Sequence, residues 1–152
     1  MLKALRRLAA FCLCITLSLG LVSPSHVQAA GVKAEDLAVI KRQAAAFEST
    51  KSRLPELARL VSAKDWTFTR NLIHGPMQEV GREMLYINQR LDKSARKNAD
   101  KVARSLKEAM ADLDEAARLQ DFSRMQKSYS AVAAGFDAYS LSLIHISEPT
   151  RH

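Results

Sequence analysis

From Ile73 to Leu91 the apolar residues Ile73, Met77, Val80, Met84, Ile87 and Leu91 follow one another at steps of four, three, four, three and four. Such spacing keeps one line of side chains on a single side of an α-helix, as in a bundle seam. A strand would require alternation every two residues, and no segment of the chain shows it. The helical period recurs three more times. Leu37, Ile40, Ala44, Phe47 and Leu54 form a stripe over about Ala34–Leu54, and Leu57, Leu60 and Val61 extend it after Pro55 kinks or restarts the helix. Ala95, Ala99, Val102, Leu106, Ala109, Leu113 and Ala116 line a third helix over about Ser94–Leu119, with small residues that let a neighbour approach closely. Phe122, Met125, Tyr129, Val132, Phe136 and Tyr139 line a fourth. Links near Ser62–Lys64, Asp92–Lys93 and Gln120 are too short for crossovers. The pattern predicts an all-α, up-down-up-down antiparallel four-helix bundle.

The second helix has the most distinctive composition. Asp65 is placed to cap its start, and Trp66 reads as a core plug at the end of the bundle. Gly75 and Pro76 interrupt the pattern, and because proline lacks a backbone donor a kink is expected near Asn71–Gly75. Asp121 is placed to cap the fourth helix.

Both ends fall outside this pattern. Lys3, Arg6 and Arg7 precede an uncharged apolar run from Leu8 to Val22, and Val27-Gln28-Ala29 supplies small residues for cleavage. Residues 1–29 therefore read as a cleaved export signal, because the run is shorter than the roughly 20 residues that span a bilayer. Arg6-Arg7 leaves the choice between a general and a twin-arginine route open. Leu21-Val22-Ser23 begins a lipoprotein pattern, but Pro24 stands where the lipidated cysteine belongs. A lipid anchor is not expected. At the other end, residues 141–152 break the helical period. Leu141–Arg151 match, letter for letter, one translated frame of a transposase adapter used in preparing sequencing libraries, so the segment is set aside from the fold. Residues 30–140 remain as one small domain.

That domain holds nineteen Lys and Arg against fifteen Asp and Glu, a net charge of +4. The excess favours an acidic partner without requiring nucleic acid. Cys12 and Cys14 both lie in the signal, which excludes disulfides, thiolate metal sites and cysteine catalysis from the domain. His26 lies in the signal and His145 and His152 in the tail, leaving His74 alone. A lone histidine argues against a His-rich zinc or haem site, and none of the acids has a converging nucleophile or base. Asp112, Asp114 and Glu115 form the densest acidic cluster; a weak cation site is imaginable there, but a solvated face paired with Arg118 or Lys107 is the simpler reading. His74 is expected to hydrogen-bond near the kinked backbone. No enzymatic activity, bound cofactor, metal or small-molecule substrate is expected.

Binding to a partner remains. Arg96, Lys97, Lys101, Arg104 and Lys107 on the third helix read as an ordinary polar face that is also able to attract an acidic surface. On the second helix Arg70, Arg82, Tyr86 and Arg90 recur at steps of twelve, four and four, and arginine and tyrosine are enriched at interface centres. With His74, these residues form the candidate partner-binding set. The alternative is that they tie the bundle to itself.

The stretch KDWTFTRNLIHGPMQEVGREMLYINQRL, Lys64–Leu91, resembles the central region of cyanobacterial members of the PsbQ family. Arg53–Leu57 (RLPEL), Asp112–Ala117 (DLDEAA) and the Tyr- and Phe-bearing last helix extend the resemblance over about Glu35–Tyr139. It implies a non-catalytic four-helix bundle, peripheral on the lumenal face of the thylakoid membrane. The implied partners are the photosystem II core and other extrinsic lumenal subunits. Its implied role is to stabilise the oxygen-evolving complex and support retention of calcium and chloride by a manganese cluster that other subunits ligate. Many members carry a lipoprotein cysteine at the mature N-terminus; Pro24 is the departure here. Two other readings of the residues are a general periplasmic helical adaptor and a metal- or haem-binding bundle using His74.

Overall fold

The computed structural model of the chain describes residues 33–147; the expected export signal and residues 148–152 lie outside them. Among the described residues the structure is entirely helical. The helices are α1 (Ala34–Lys51), α2 (Leu54–Ser62), α3 (Trp66–His74), α4 (Val80–Asn88), α5 (Lys93–Arg118) and α6 (Phe122–Ser147). None of these is long and apolar enough to cross a membrane.

The packing order is compatible with a four-helix bundle in which α1–α2 and α3–α4 are each one interrupted helix. α1 packs on α4 and α6, α2 on α3 and α6, α3 and α4 on α5, and α5 on α6. Side-chain pairs link Asp36 to Arg90 and Thr50 to Glu83, then Arg70 to Asp114 and Asn88 to Asp100. Others link Asp112 to Arg124 and Lys51 to Asp137. Along each interrupted arm, residue numbers rise on one side of these pairs as they fall on the other.

The predicted seams form the core. Ile73, Met77, Val80, Met84, Ile87 and Leu91 are all buried, and so are Phe47, Leu106, Leu113, Val132 and Phe136. Each such side chain contributes roughly 1.5–3 kcal/mol by leaving water. Phe47 stacks at a tilt against Phe136 and Tyr139, with ring centroids 5.2 and 4.8 Å apart, joining α1 to α6. A Cβ on Gly135 would stand 3.3 Å from the Leu106 Cα, so the missing side chain lets α6 lie close against α5.

Two chain reversals share one device. Lys64 and Gln120 adopt left-handed backbone at φ 55° and 56°. In each, the following aspartate closes the finished helix through its N–H, Asp65 to the Leu60 carbonyl and Asp121 to the Ala116 carbonyl, both at 2.9 Å. The same aspartate then caps the next helix: Asp65 accepts from the Phe68 N–H and Asp121 from the Arg124 N–H. Asp92 does likewise for α5, accepting from the Ser94 and Ala95 N–H groups.

Three expectations need correction. The second helix is not merely kinked but stops at His74 and restarts at Val80. Pro76 cannot donate to the Leu72 carbonyl, which instead accepts from Met77 N at 3.1 Å, and the chain turns before helix resumes. Gly75 belongs to this turn because a Cβ there would lie 2.7 Å from the Asn71 carbonyl oxygen. Second, the helical period does not fail after Ser140: α6 continues to Ser147, and Leu143, four residues beyond Tyr139, packs against the core. Third, His74 bonds to a side chain of another helix and not to the backbone at the break.

A polar chain crosses the core. The buried Tyr139 hydroxyl donates to Asn88 Oδ1 at 2.7 Å, and Asn88 Nδ2 donates to Asp100 Oδ1 at 2.8 Å, joining α6, α4 and α5. Burial raises the Tyr139 pKa well above the ordinary phenol value, which keeps the hydroxyl a donor. Tyr139→Phe should lower unfolding free energy by about 1–3 kcal/mol, because the Asn88 carbonyl loses a buried donor; urea denaturation measures it. Gly75→Ala should cost about 1–3 kcal/mol through its contact with Asn71, read as a lowered thermal midpoint.

Candidate functional site

The break at Gly75–Pro76 divides the candidate set between two helices. Arg70 and His74 belong to α3; Arg82 and Tyr86 belong to α4, with Arg90 just beyond its end. The single basic stripe expected along one helix is therefore two separate groups.

The α3 group turns toward α5. Arg70 Nε donates to Asp114 Oδ1 at 2.9 Å, and His74 Nε2 lies 2.8 Å from the same oxygen. The Asp114 side chain is largely covered, at 22% exposure, so this is a partly buried junction between helices. Trp66 is partly buried against the core beside it, at the end of α3 expected to hold it. Trp66, Arg70, His74 and Arg118 line an open cavity of about 310 Å³. The neighbouring acids are also engaged. Glu115 accepts two hydrogen bonds from Arg118, which hold its carboxyl below the usual range, and Asp112 pairs with Arg124 of α6. Of the two expected partners for this cluster, Arg118 pairs with Glu115 and Lys107 with none of the three acids; Arg124 and Arg70, drawn from other helices, were not legible from spacing.

The α4 group is partly outward. Arg82 is exposed and pairs with Glu79, three residues earlier in the chain. Tyr86 is 40% exposed and its neighbour Leu85 is 50% exposed. Arg90 turns toward α1: its Nη1 donates to the Tyr86 carbonyl at 2.9 Å, and its Nε lies 3.7 Å from Asp36 Oδ1. The structure thus brings Arg70 and His74 together on Asp114, leaves Arg82 and Tyr86 facing solvent, and sets Arg90 at the α1 edge. Sequence reasoning missed Leu85, whose apolar character against the seam register was the available signal.

On the inner side of α4, Glu83 is buried against α1, with the Thr50 hydroxyl 3.3 Å from its Oε2. Burial raises its pKa above the ordinary carboxylate value, opposed in part by the Thr50 hydrogen bond. The other buried hydroxyl of this region, Thr69 Oγ1, has no hydrogen-bond partner.

The arrangement contains aromatic, basic and apolar surface for contact. Among the described residues no three His, Cys, Asp or Glu side chains are placed to hold a metal ion. The family model for PsbQ, oxygen evolving enhancer protein 3, matches residues 4–143, and the chain belongs to that family. A search of curated proteins finds no match.

A raised Glu83 pKa favours the protonated side chain in the folded state. Its stabilising contribution is therefore complete below the unfolded value and is lost as pH rises through the folded one. Glu83→Gln should be more stable than the parent at neutral pH and should decline less between about pH 4 and 8, a range spanning the ordinary carboxylate value and beyond. Urea unfolding across that range checks it; parallel curves for the two proteins would refute the assignment.

Proposed function

We propose that this PsbQ-family chain acts on the lumenal side of the thylakoid membrane as a clamp on photosystem II, and that it helps the complex retain calcium and chloride. The family is that of an oxygen-evolving enhancer protein, a non-catalytic subunit associated with photosystem II. A protein of this kind works by binding energy alone: it favours the assembly state to which it attaches and covers the loops through which ions exchange. The observation that carries the reading is the family match over residues 4–143. The exposed side of α4 supports it, since Arg82, Leu85 and Tyr86 present charge and apolar area together.

Within the candidate set the roles divide. Arg82 and Tyr86 are available to a partner. Arg70 and His74 hold α3 to α5 through Asp114, and Arg90 bridges toward α1, so these three shape the surface as well as contribute to it.

The full chain, tagged and added to photosystem II membranes depleted of it, should recover photosystem II core subunits and raise oxygen evolution at limiting calcium and chloride. Arg82→Glu should weaken recovery by roughly 5–10-fold while the protein stays folded, with only a small fall in the thermal midpoint from the lost Glu79 pair. Failure to recover core subunits would overturn the association. Recovery without any change in ion dependence would overturn the retention role.

A further inference from the structure

Helix α5 divides its charge along its length. Lys93, Arg96, Lys97, Lys101, Arg104 and Lys107 run from its start to just past its midpoint with Asp100 as the sole acid among them, while Glu108, Asp112, Asp114 and Glu115 follow, with Arg118 at the end. The helix ends are themselves served, Asp92 capping the start and Arg118 standing in the last turn, so the basic excess lies along the body of the helix. Like charges three and four residues apart add repulsion.

The two halves differ in their partners. Asp112, Asp114 and Glu115 are each neutralised, by Arg124, by Arg70 with His74, and by Arg118. In the basic half only Arg96 is paired, with Asp100. Among the described residues Lys93, Lys97, Lys101, Arg104 and Lys107 form no ion pair, and all five are exposed. Three of the four acids are matched within the fold, whereas five of the six basic residues are left open.

An apolar feature adjoins this surface. Leu85 of α4 stands beside a cleft of about 210 Å³ between α4 and α5, lined also by Gly81, Asp100, Arg104 and Lys107. The Lys107 stem lies alongside Gly81 at this cleft. The Asp100 carboxylate at this cleft accepts from Asn88 and so belongs to the polar chain through the core. A concave site with a fixed carboxylate, basic rim and one apolar knob suits a folded polypeptide offering acids around a small apolar contact. A flat anionic bilayer has no group to meet Asp100.

We infer that the Lys93–Lys107 face of α5, with Leu85 and the adjoining cleft, is the surface by which the chain docks on an acidic polypeptide surface. This names the kind of partner surface for the photosystem II association proposed above and rests on it. Its charge is long-ranged and solvent-exposed, so the contact forms quickly and weakens with salt.

The test uses the full chain and a triple variant, Lys97→Gln, Lys101→Gln and Arg104→Gln, with two probes. One is detergent-solubilised photosystem II core particles stripped of this subunit; the other is phosphatidylglycerol vesicles. The triple variant should bind the particles at least about tenfold more weakly, with a shallower salt dependence and an unchanged or higher thermal midpoint. Leu85→Ser should also weaken binding. Unchanged affinity of both variants, with the parent binding well, would overturn this surface and leave the association standing. No binding by the parent would overturn both. Loss confined to the vesicles would replace the polypeptide with a membrane. Should the triple variant not fold, single Lys101→Gln decides, with about a threefold loss expected and no loss contradicting the inference.

Discussion

At position 75 there is no room for a side chain, and at position 76 there is no amide hydrogen. A Cβ on Gly75 would collide with the Asn71 carbonyl, and Pro76 leaves the Leu72 carbonyl to be served from Met77. Much of the molecule's surface follows from this. The second helical arm becomes two shorter helices, each with its own facing, yet Ile73, Met77, Val80 and Met84 all remain buried across the break. The first piece turns Arg70 and His74 onto Asp114. The second keeps its inner side against α1 and α5 and presents Arg82, Leu85 and Tyr86 to solvent.

Polar groups complete what apolar packing begins. Tyr139, Asn88 and Asp100 place three helices in one relation, and each donor in the chain has a defined acceptor. Such a network favours one register among the many that a seam of leucines and alanines tolerates. It also fixes Asp100 at the α4–α5 cleft, so the same chain that orders the core shapes part of the outer surface. Electrostatic balance follows a similar division: Asp114 and Asp112 of α5 hold α3 and α6, whereas the basic residues of its first part face outward.

Much of this was legible in the sequence, because bundle seams depend on local spacing. Met77, Met84 and Ile87 were assigned to the core by period alone, and Asp65 and Asp121 were recognisable as caps. The reversals at Lys64 and Gln120 were placed only as short links, since neither carries the glycine that normally marks left-handed backbone. The partner of Arg70 was hidden because Asp114 lies 44 residues away and only tertiary packing brings them together. A periodic stripe from Arg70 to Arg90 assumed an unbroken helix, and the break removed that assumption. The extension of α6 to Ser147 is hidden by the likeness of residues 141–151 to an adapter, although Leu143 follows Tyr139 at a helical step.

Together these features describe a non-catalytic helical subunit that leaves a run of basic residues without ion pairs along one face of α5. Lysine acetylation footprinting of the full chain, free and bound to photosystem II, tests this most directly. Labelling of Lys97, Lys101 and Lys107 should fall at least about fivefold on binding, while Lys41 and Lys127, exposed on α1 and α6, keep their free-state labelling. Protection of Lys41 or Lys127 with the α5 lysines still fully labelled would contradict the account.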